Sequence, residues 1–346
     1  LSAPRGEFDM LRVAGIGVGD LGRLELRLLA DLDEVEVVAG ADPSHDARAA
    51  FAHELSVPTY EDYEELLDEE DVDAACIVTP HTLHYEQAKA CLERDVHVHL
   101  EKPMVTDVDH AHDLIDLADE RDLVLAVGYQ RHFDPRFAEI RRLVDAGRIG
   151  EIHMATCHLE QVWIKWTKDQ WRGNPDLSGG GQLYDSGSHL LDALLWSTRS
   201  TPVSVAATVD DRGHDVDVNS ALAATLERDD GDGHITASIG VSGAGQSTPA
   251  PGEMLTLLGT EGTISFDGET ITVIEGGMTY TATPEDPGFD AVTRRKLENF
   301  VDAIRGDVEL EIPPEDALKV TALTEAAYEA SESGATVDVR ALLNRS

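Results

Sequence analysis

Lysine is nearly missing from this chain. Only Lys89, Lys102, Lys165, Lys168, Lys296 and Lys319 are present among 27 Lys plus Arg, against 67 Asp plus Glu, and the formal net charge is -40. Negative charge spread along the whole length repels phosphate backbones and anionic headgroups, which argues against nucleic acid and membrane surfaces as partners. An acidic, Lys-poor shell resembles the surfaces of proteins from a halophilic, salt-loaded cytoplasm, where ionic strength screens the self-repulsion. An acidic mesophilic protein is the alternative. Aromatics make up only 5%. The three cysteines, Cys76, Cys91 and Cys157, stand alone in apolar surroundings. They lack the paired spacings of a thiolate metal site or a disulfide framework and read as core thiols. No apolar run approaches the ~18 residues of a membrane helix. The opening "LSAPRGEFDM" has no positive region followed by an apolar stretch, so the expectation is a soluble, cytoplasmic protein.

What is present is organised in two halves. A length of 346 residues exceeds the ~250 to 300 at which single cores stop growing, so two domains are expected. From 11 to 128, short apolar runs ("LRVAGI", "VEVVAGAD", "DAACIVT", "LVLAVG") alternate with helical periods, the pattern of a parallel sheet covered on both faces. After a helix ended by Gly147, strand-like runs separated by Gly and Asp turns predict a large, mostly antiparallel sheet from about 150 to 285. Two helices follow, the second opened by "PPED". The pattern predicts an α/β fold class: a parallel-sheet domain over 1–130, then an α+β domain with a large open sheet over 131–346. The last helices are placed to pack back across both.

Gly17, Gly19 and Gly22 form G-x-G-x-x-G directly after the first strand and at the start of a helix. Such glycines allow a tight turn and close approach of the backbone to a pyrophosphate, which the helix N-terminus attracts. Asp42 ends the next strand, where its carboxylate accepts ribose hydroxyls and repels a 2'-phosphate, so NAD is expected. NADP stays open, because Ser44 and Arg48 are near enough in sequence to receive that phosphate if Asp42 turns aside. Thr79 and Pro80 follow the third apolar strand and are expected to line the cofactor cleft. His84 either joins them or satisfies a local backbone group.

"HVHLEKPM" (97–104) puts Lys102 at the same strand edge, with Pro103 setting a turn or a cis bond. A cation there would hold a substrate oxygen and favour its alkoxide as hydride leaves, whereas the plain alternative is a surface ion pair with Glu101. In "GGGQLYDSGSHLLDALLW" (179–196), Asp185 and His189 are four apart, which predicts one helix face, with Leu190, Leu191, Leu194 and Leu195 on the buried side. His189 suits a general base that takes the hydroxyl proton, and Asp185 its orienter. A core histidine held by Asp185 is the competing reading. The pair lacks a convincing third ligand and Lys102 would compete, so no metal is expected. Trp163, Trp166 and Trp171 offer platforms for sugar faces, with Lys165, Arg172 and Asn174 as polar contacts, or else they form a subunit contact.

Together "GIGVGDLGR", "VTPHTLHYEQAKACLERDVHVHLEKPM", "VGYQRHFDPRF", "WRGNPDLSGGGQLYDSGSHLLD" and the closing "PPEDALKVTALTEAAYEASESG" resemble the glucose-fructose oxidoreductase, inositol dehydrogenase and MocA-like (Gfo/Idh/MocA) family over essentially the whole chain. The resemblance implies a Rossmann domain and a C-terminal domain whose open sheet makes oligomer contacts, in a homodimer or homotetramer. It implies Lys102, Asp185 and His189 as the catalytic group, a cofactor near Thr79, His84, Glu101 and Gln130, and Arg131 in the substrate neighbourhood with Trp163, Trp171 and Arg172. Glu25 departs from the pattern, since many members carry histidine there. The implied reaction is NAD(P)-dependent oxidation of a sugar or polyol hydroxyl. The same fold also serves sugar-transforming enzymes that retain their NAD, redox-type glycosidases and non-catalytic NAD-binding regulators.

Overall fold

The computed structural model describes residues 10–229, 231, 233–245 and 252–345. Most of the "LSAPRGEFDM" stretch therefore lies outside the described residues. Two compact units are present.

The first unit spans 1–105, 109–130 and 288–315. Its strands are β1 (Leu11–Ile16), β2 (Val35–Ala41), β3 (Thr59–Tyr60), β4 (Ala74–Ile77), β5 (His97–Leu100) and β6 (Leu125–Val127), all parallel in the order 3-2-1-4-5-6. The chain leaves the centre in opposite directions from β1 and β4, and a ligand crevice forms beyond the strand ends at such a reversal. The connecting helices are α1 (Asp20–Ala30), α2 (His45–Leu55), α3 (Tyr63–Glu69), α4 (His84–Leu92) and α5 (Val108–Glu120).

The second unit holds α6 (Pro135–Asp145), β7 (Ile152–Glu160), two single turns α7 (Ile164–Thr167) and α8 (Pro175–Ser178), and α9 (Ser188–Thr198). Seven further strands follow: β8 (Ser200–Asp210), β9 (Asn219–Arg228), β10 (His234–Ser242), β11 (Glu253–Gly259), β12 (Gly262–Phe266), β13 (Ile271–Glu275) and β14 (Met278–Ala282). Then come α10 (Phe289–Arg305), α11 (Pro314–Ser333), β15 (Val337–Asp338) and α12 (Val339–Leu343).

Nine strands make one sheet in the order 14-13-12-11-7-10-9-8-15, antiparallel except where β7 meets β10. The reading of 131–346 as one continuous domain meets an exception at α10, which folds with the first unit. Leu297, Phe300, Val301 and Ile304 recur at helical spacing and share a core with Leu26 and Leu29 of α1.

Two adjacent cross-strand rows of the large sheet differ sharply. One cross-strand row runs Leu222, Ile239, Cys157, Leu255, Phe266, Ile271, and all six are buried. The adjacent row, on the opposite face, runs Ala206, Ala223, Ser238, Thr156, Thr256, Ser265, Thr272, Thr281, without a charge or a large apolar side chain. Alternation along each strand separates the rows.

Candidate functional site

The glycine turn is built as its spacing implies. Gly17 has φ +84, and an added Cβ would run into the Val78 carbonyl. At Gly22 a Cβ would strike the carbonyl of Gly17, so two glycines serve turn closure and helix–strand approach. Gly19 differs: nothing lies within 4 Å of a Cβ placed there, and it begins α1 without a side-chain cap. Backbone N–H groups at an uncapped helix start attract anionic groups. Asp42 stands beside the turn. One carboxylate oxygen accepts the Val18 N–H at 3.0 Å and the other the Ser44 N–H at 2.8 Å. Arg48 donates to the Asp42 carbonyl at 2.6 Å, so Asp42 is fastened toward the turn. These features fit a dinucleotide: an open approach at Gly19, an unsatisfied helix start and a fixed acid at the end of β2.

Thr79 and Pro80 follow β4 at the same sheet edge; the Thr79 hydroxyl donates to Gln87 at 2.6 Å. His84 is fully buried. Its Nδ1 faces the Pro103 carbonyl at 2.8 Å and its Nε2 the Thr79 carbonyl at 3.0 Å. Burial lowers its pKa, against the pull of the Pro103 and Thr79 carbonyls. Of the two readings of His84, the geometry shows the backbone tie: the ring holds the segment after Lys102 to the end of β4. The Lys102–Pro103 bond is cis, and Lys102 is half-buried.

Glu101 does not form a surface ion pair. It is buried and bonded to Lys296 of α10, whose ammonium also reaches Glu25 of α1 at 2.7 Å. Cys76 donates to Glu25 at 3.3 Å, and His99 Nδ1 lies 3.6 Å from the same sulfur. Burial pushes Glu25 up to about 7, with Lys296 opposing. For Glu101 burial also pushes upward, but Lys296, His99 and Lys102 outweigh it and hold the carboxyl at about 2. Burial and then the Lys296 charge lower His99 to about 3. Burial disfavours the Lys296 ammonium, yet Glu101 and Glu25 raise it overall. Glu25, Cys76 and His99 place ligand atoms within 4.8 Å of one another. The Lys296 ammonium already neutralises that carboxylate edge, and burial keeps the Cys76 thiol protonated, both of which oppose a metal.

In the second unit, residues 183–187 form a π-helical turn ahead of α9, with the Gly187 N–H on the Gln182 carbonyl at 2.8 Å. Of the pair expected on one α-helical face, Asp185 lies in this π-helical turn and His189 in the first turn of α9. Asp185 is buried, and its Oδ2 accepts the Trp163 indole N–H at 2.7 Å and the Arg172 Nε at 3.1 Å. His189 is half-buried, and Leu190, Leu191, Leu194 and Leu195 are buried as expected.

Trp163, 5% exposed, is no open platform: it supports Asp185. Trp171 is partly exposed and stacks with the Arg172 guanidinium at 4.3 Å. Arg131 is committed to Glu253 at 2.6 Å, and Gln130 opens the 3-10 turn before it.

Sequence reasoning missed the strap that shapes the π-helical turn. Asp217 accepts the Gly181 N–H at 2.5 Å, the Leu183 N–H at 2.9 Å and the Tyr328 hydroxyl at 2.5 Å. Burial raises its pKa, against these donors. Lys296 was missed as well, although a scarce lysine on the face of Val292 and Phe300 was a signal.

Residues 11–129 match the model of an oxidoreductase family with an NAD-binding Rossmann fold, and residues 137–265 match the GFO/IDH/MocA C-terminal domain. The chain is 27% identical over 193 residues to the rhizopine catabolism protein MocA of Rhizobium meliloti, covering 56% of this chain and 59% of that one. It is 28% identical over 341 residues to a D-xylose 1-dehydrogenase (NADP(+)) of Haloferax volcanii, covering 96% and 99%. The chain spans about half the length of several curated relatives it matches. A levoglucosan dehydrogenase solved with NADH and levoglucosan superposes with TM-score 0.82 at 19% identity, covering 95% and 99%, and shares the fold. Among the described residues, no helix is long and apolar enough to cross a membrane.

Proposed function

Because the chain belongs to the Gfo/Idh/MocA oxidoreductase family, we propose that it is an NAD-dependent dehydrogenase acting on a ring hydroxyl of a neutral cyclic sugar or polyol. The observation that carries the reading is the Asp42 carboxylate, fastened by the Val18 and Ser44 N–H groups beside an unobstructed glycine turn. A carboxylate so held accepts two ribose hydroxyls and repels a 2'-phosphate, which favours NAD over NADP. Gly17, Gly19, Gly22, Asp42, Thr79, Pro80 and Gln130 hold the cofactor. His84 and Glu101 act on it through the backbone they fix.

Bound nicotinamide supplies the hydride acceptor. Lys102 would stabilise the negative charge on the substrate oxygen as its proton leaves and its carbon gives up hydride to become a carbonyl. His189 takes the hydroxyl proton. Asp185, gripped by Trp163 and Arg172, carries the negative charge that balances the imidazolium and accepts a neighbouring hydroxyl. Trp171 and Arg172 present the polar and aromatic surface to the sugar. The substrate class is supported by the xylose and levoglucosan enzymes to which the chain is similar and by the acidic field, which disfavours anionic substrates.

The second unit carries substrate binding and self-association. The row from Ala206 to Thr281 is free of charge in a chain of net charge -40, a surface suited to a second copy in a homodimer or homotetramer. The chemical assignment is tested by His189→Ala: folded protein that binds NAD as wild type yet loses sugar-dependent reduction supports it, and unchanged turnover overturns it.

A further inference from the structure

The buried Glu25–Lys296–Glu101 cluster lies next to Lys102 and is not used by the chemistry above. As a source of stability it is weak, because two carboxylates and an ammonium lose hydration that apolar side chains would not. What such a cluster fixes is direction. Glu101 is held at both carboxylate oxygens: Oε1 accepts Lys296, and Oε2 accepts the Lys102 N–H at 3.3 Å. Its main chain is tied to β4 through the Ile77 carbonyl at 3.0 Å. The space for its carboxylate exists because residue 128 is glycine; a Cβ there would collide with Glu101. Lys296 is anchored in turn, with Leu297 and Phe300, which follow it in α10, seated in the core beside Leu26. His84 clamps the far side of the turn through the Pro103 carbonyl at 2.8 Å.

We propose that Lys296 is a positioning residue: by gripping Glu101 it fixes the main chain at Lys102 and the direction in which the Lys102 ammonium is offered to the substrate oxygen. The inference rests on the dehydrogenase reading for its kinetic consequence and on Lys102 alone for its structural one. Two readouts keep these apart. The first is the NMR signal of 13C-methylated Lys102, identified by its loss in Lys102→Ala and recorded without substrate. The second is steady-state reduction of NAD.

Lys296→Met shifts the Lys102 signal. It lowers kcat on the order of tenfold to a hundredfold, the usual cost of misplacing a reacting group, while NAD affinity stays within about twofold. Lys296→Arg restores part of the loss. The pair Lys296→Met with Glu101→Gln is no worse than Glu101→Gln alone, because both act through one contact. Folded Lys296→Met with a wild-type Lys102 signal and kcat overturns the proposal, as does strict additivity in the double variant. If the single variant does not fold, the double variant decides, since it removes an ammonium and a carboxylate together. A displaced Lys102 signal there supports the proposal and a wild-type signal overturns it. If wild type turns over no sugar, the dehydrogenase reading fails while the Lys102 signal still decides this one.

Discussion

The Asp42 carboxylate accepts the backbone N–H of Val18 at 3.0 Å, which ties the end of β2 to the glycine turn that leaves β1. Cofactor choice follows from that tie. On the proposed reading, Asp42→Ala removes both the acceptor for the ribose and the charge that repels a 2'-phosphate. NAD affinity should fall by roughly 1–2 kcal/mol, on the order of tenfold, and NADP should gain on it. Calorimetric titration with each cofactor checks this, and an unchanged NAD:NADP ratio would contradict it.

The three glycines should separate by experiment. Gly17→Ala forces a side chain into positive φ against the Val78 carbonyl and should cost about 1–3 kcal/mol of stability in urea unfolding. Gly19→Ala meets no atom, so it should leave the unfolding midpoint in place and weaken NAD binding instead. Equal destabilisation of both would refute the division of roles.

Glu25 makes stability depend on pH in an unusual direction. Its folded pKa, pushed up to about 7, exceeds the ordinary value of 4.5, so the folded state holds a proton that the unfolded state releases. Stability from this group is therefore fully present below pH 4.5 and declines as pH rises toward 7. Glu101, held at about 2, works the other way: its contribution is present above 4.5 and lost as pH falls toward 2. Glu25→Gln should flatten the loss between pH 4.5 and 7 in denaturant titrations. A variant that follows the wild-type slope there would rule out Glu25 as its source.

The uncharged row on the large sheet should respond to charge. Ser238 lies between Ala223 and Thr156 on the central strands, so Ser238→Arg in each copy places like charges across the proposed self-association surface. Light scattering in concentrated KCl should show a lower oligomer with unfolding unaltered. Retention of the wild-type mass would point to another surface.

Most of the fold could be read from local pattern, since strands such as "AACI" and "HVHL" are short apolar runs between helical periods and the glycine motif marks the turn after β1. The candidate site was legible where one residue type implies one place, as at the Gly17 turn and at Asp42 beside it. It was not legible where partners are remote. Lys296 and Glu25 are 271 residues apart, and no spacing rule joins them. Asp217 reads in sequence as one more solvated acid of "HDVDVN", and only the fold brings Gly181, Leu183 and Tyr328 to it. The π-helical turn at 183–187, which carries Asp185 just ahead of α9, leaves no mark in composition or spacing. The parallel pairing of β7 with β10, inside a sheet whose runs alternate like hairpins, is likewise a matter of long-range order.

The central claim is that Lys102 serves hydride transfer from a neutral sugar or polyol hydroxyl to NAD. The direct measurement is reduced-nicotinamide absorbance in concentrated KCl, with NAD and NADP offered separately against neutral sugars and inositols, for wild type and Lys102→Ala. The account predicts NAD reduction with at least one of them, lost in the variant while NAD still binds. Folded, NAD-saturated wild type that reduces nothing, or a Lys102→Ala protein that keeps full turnover, would contradict it.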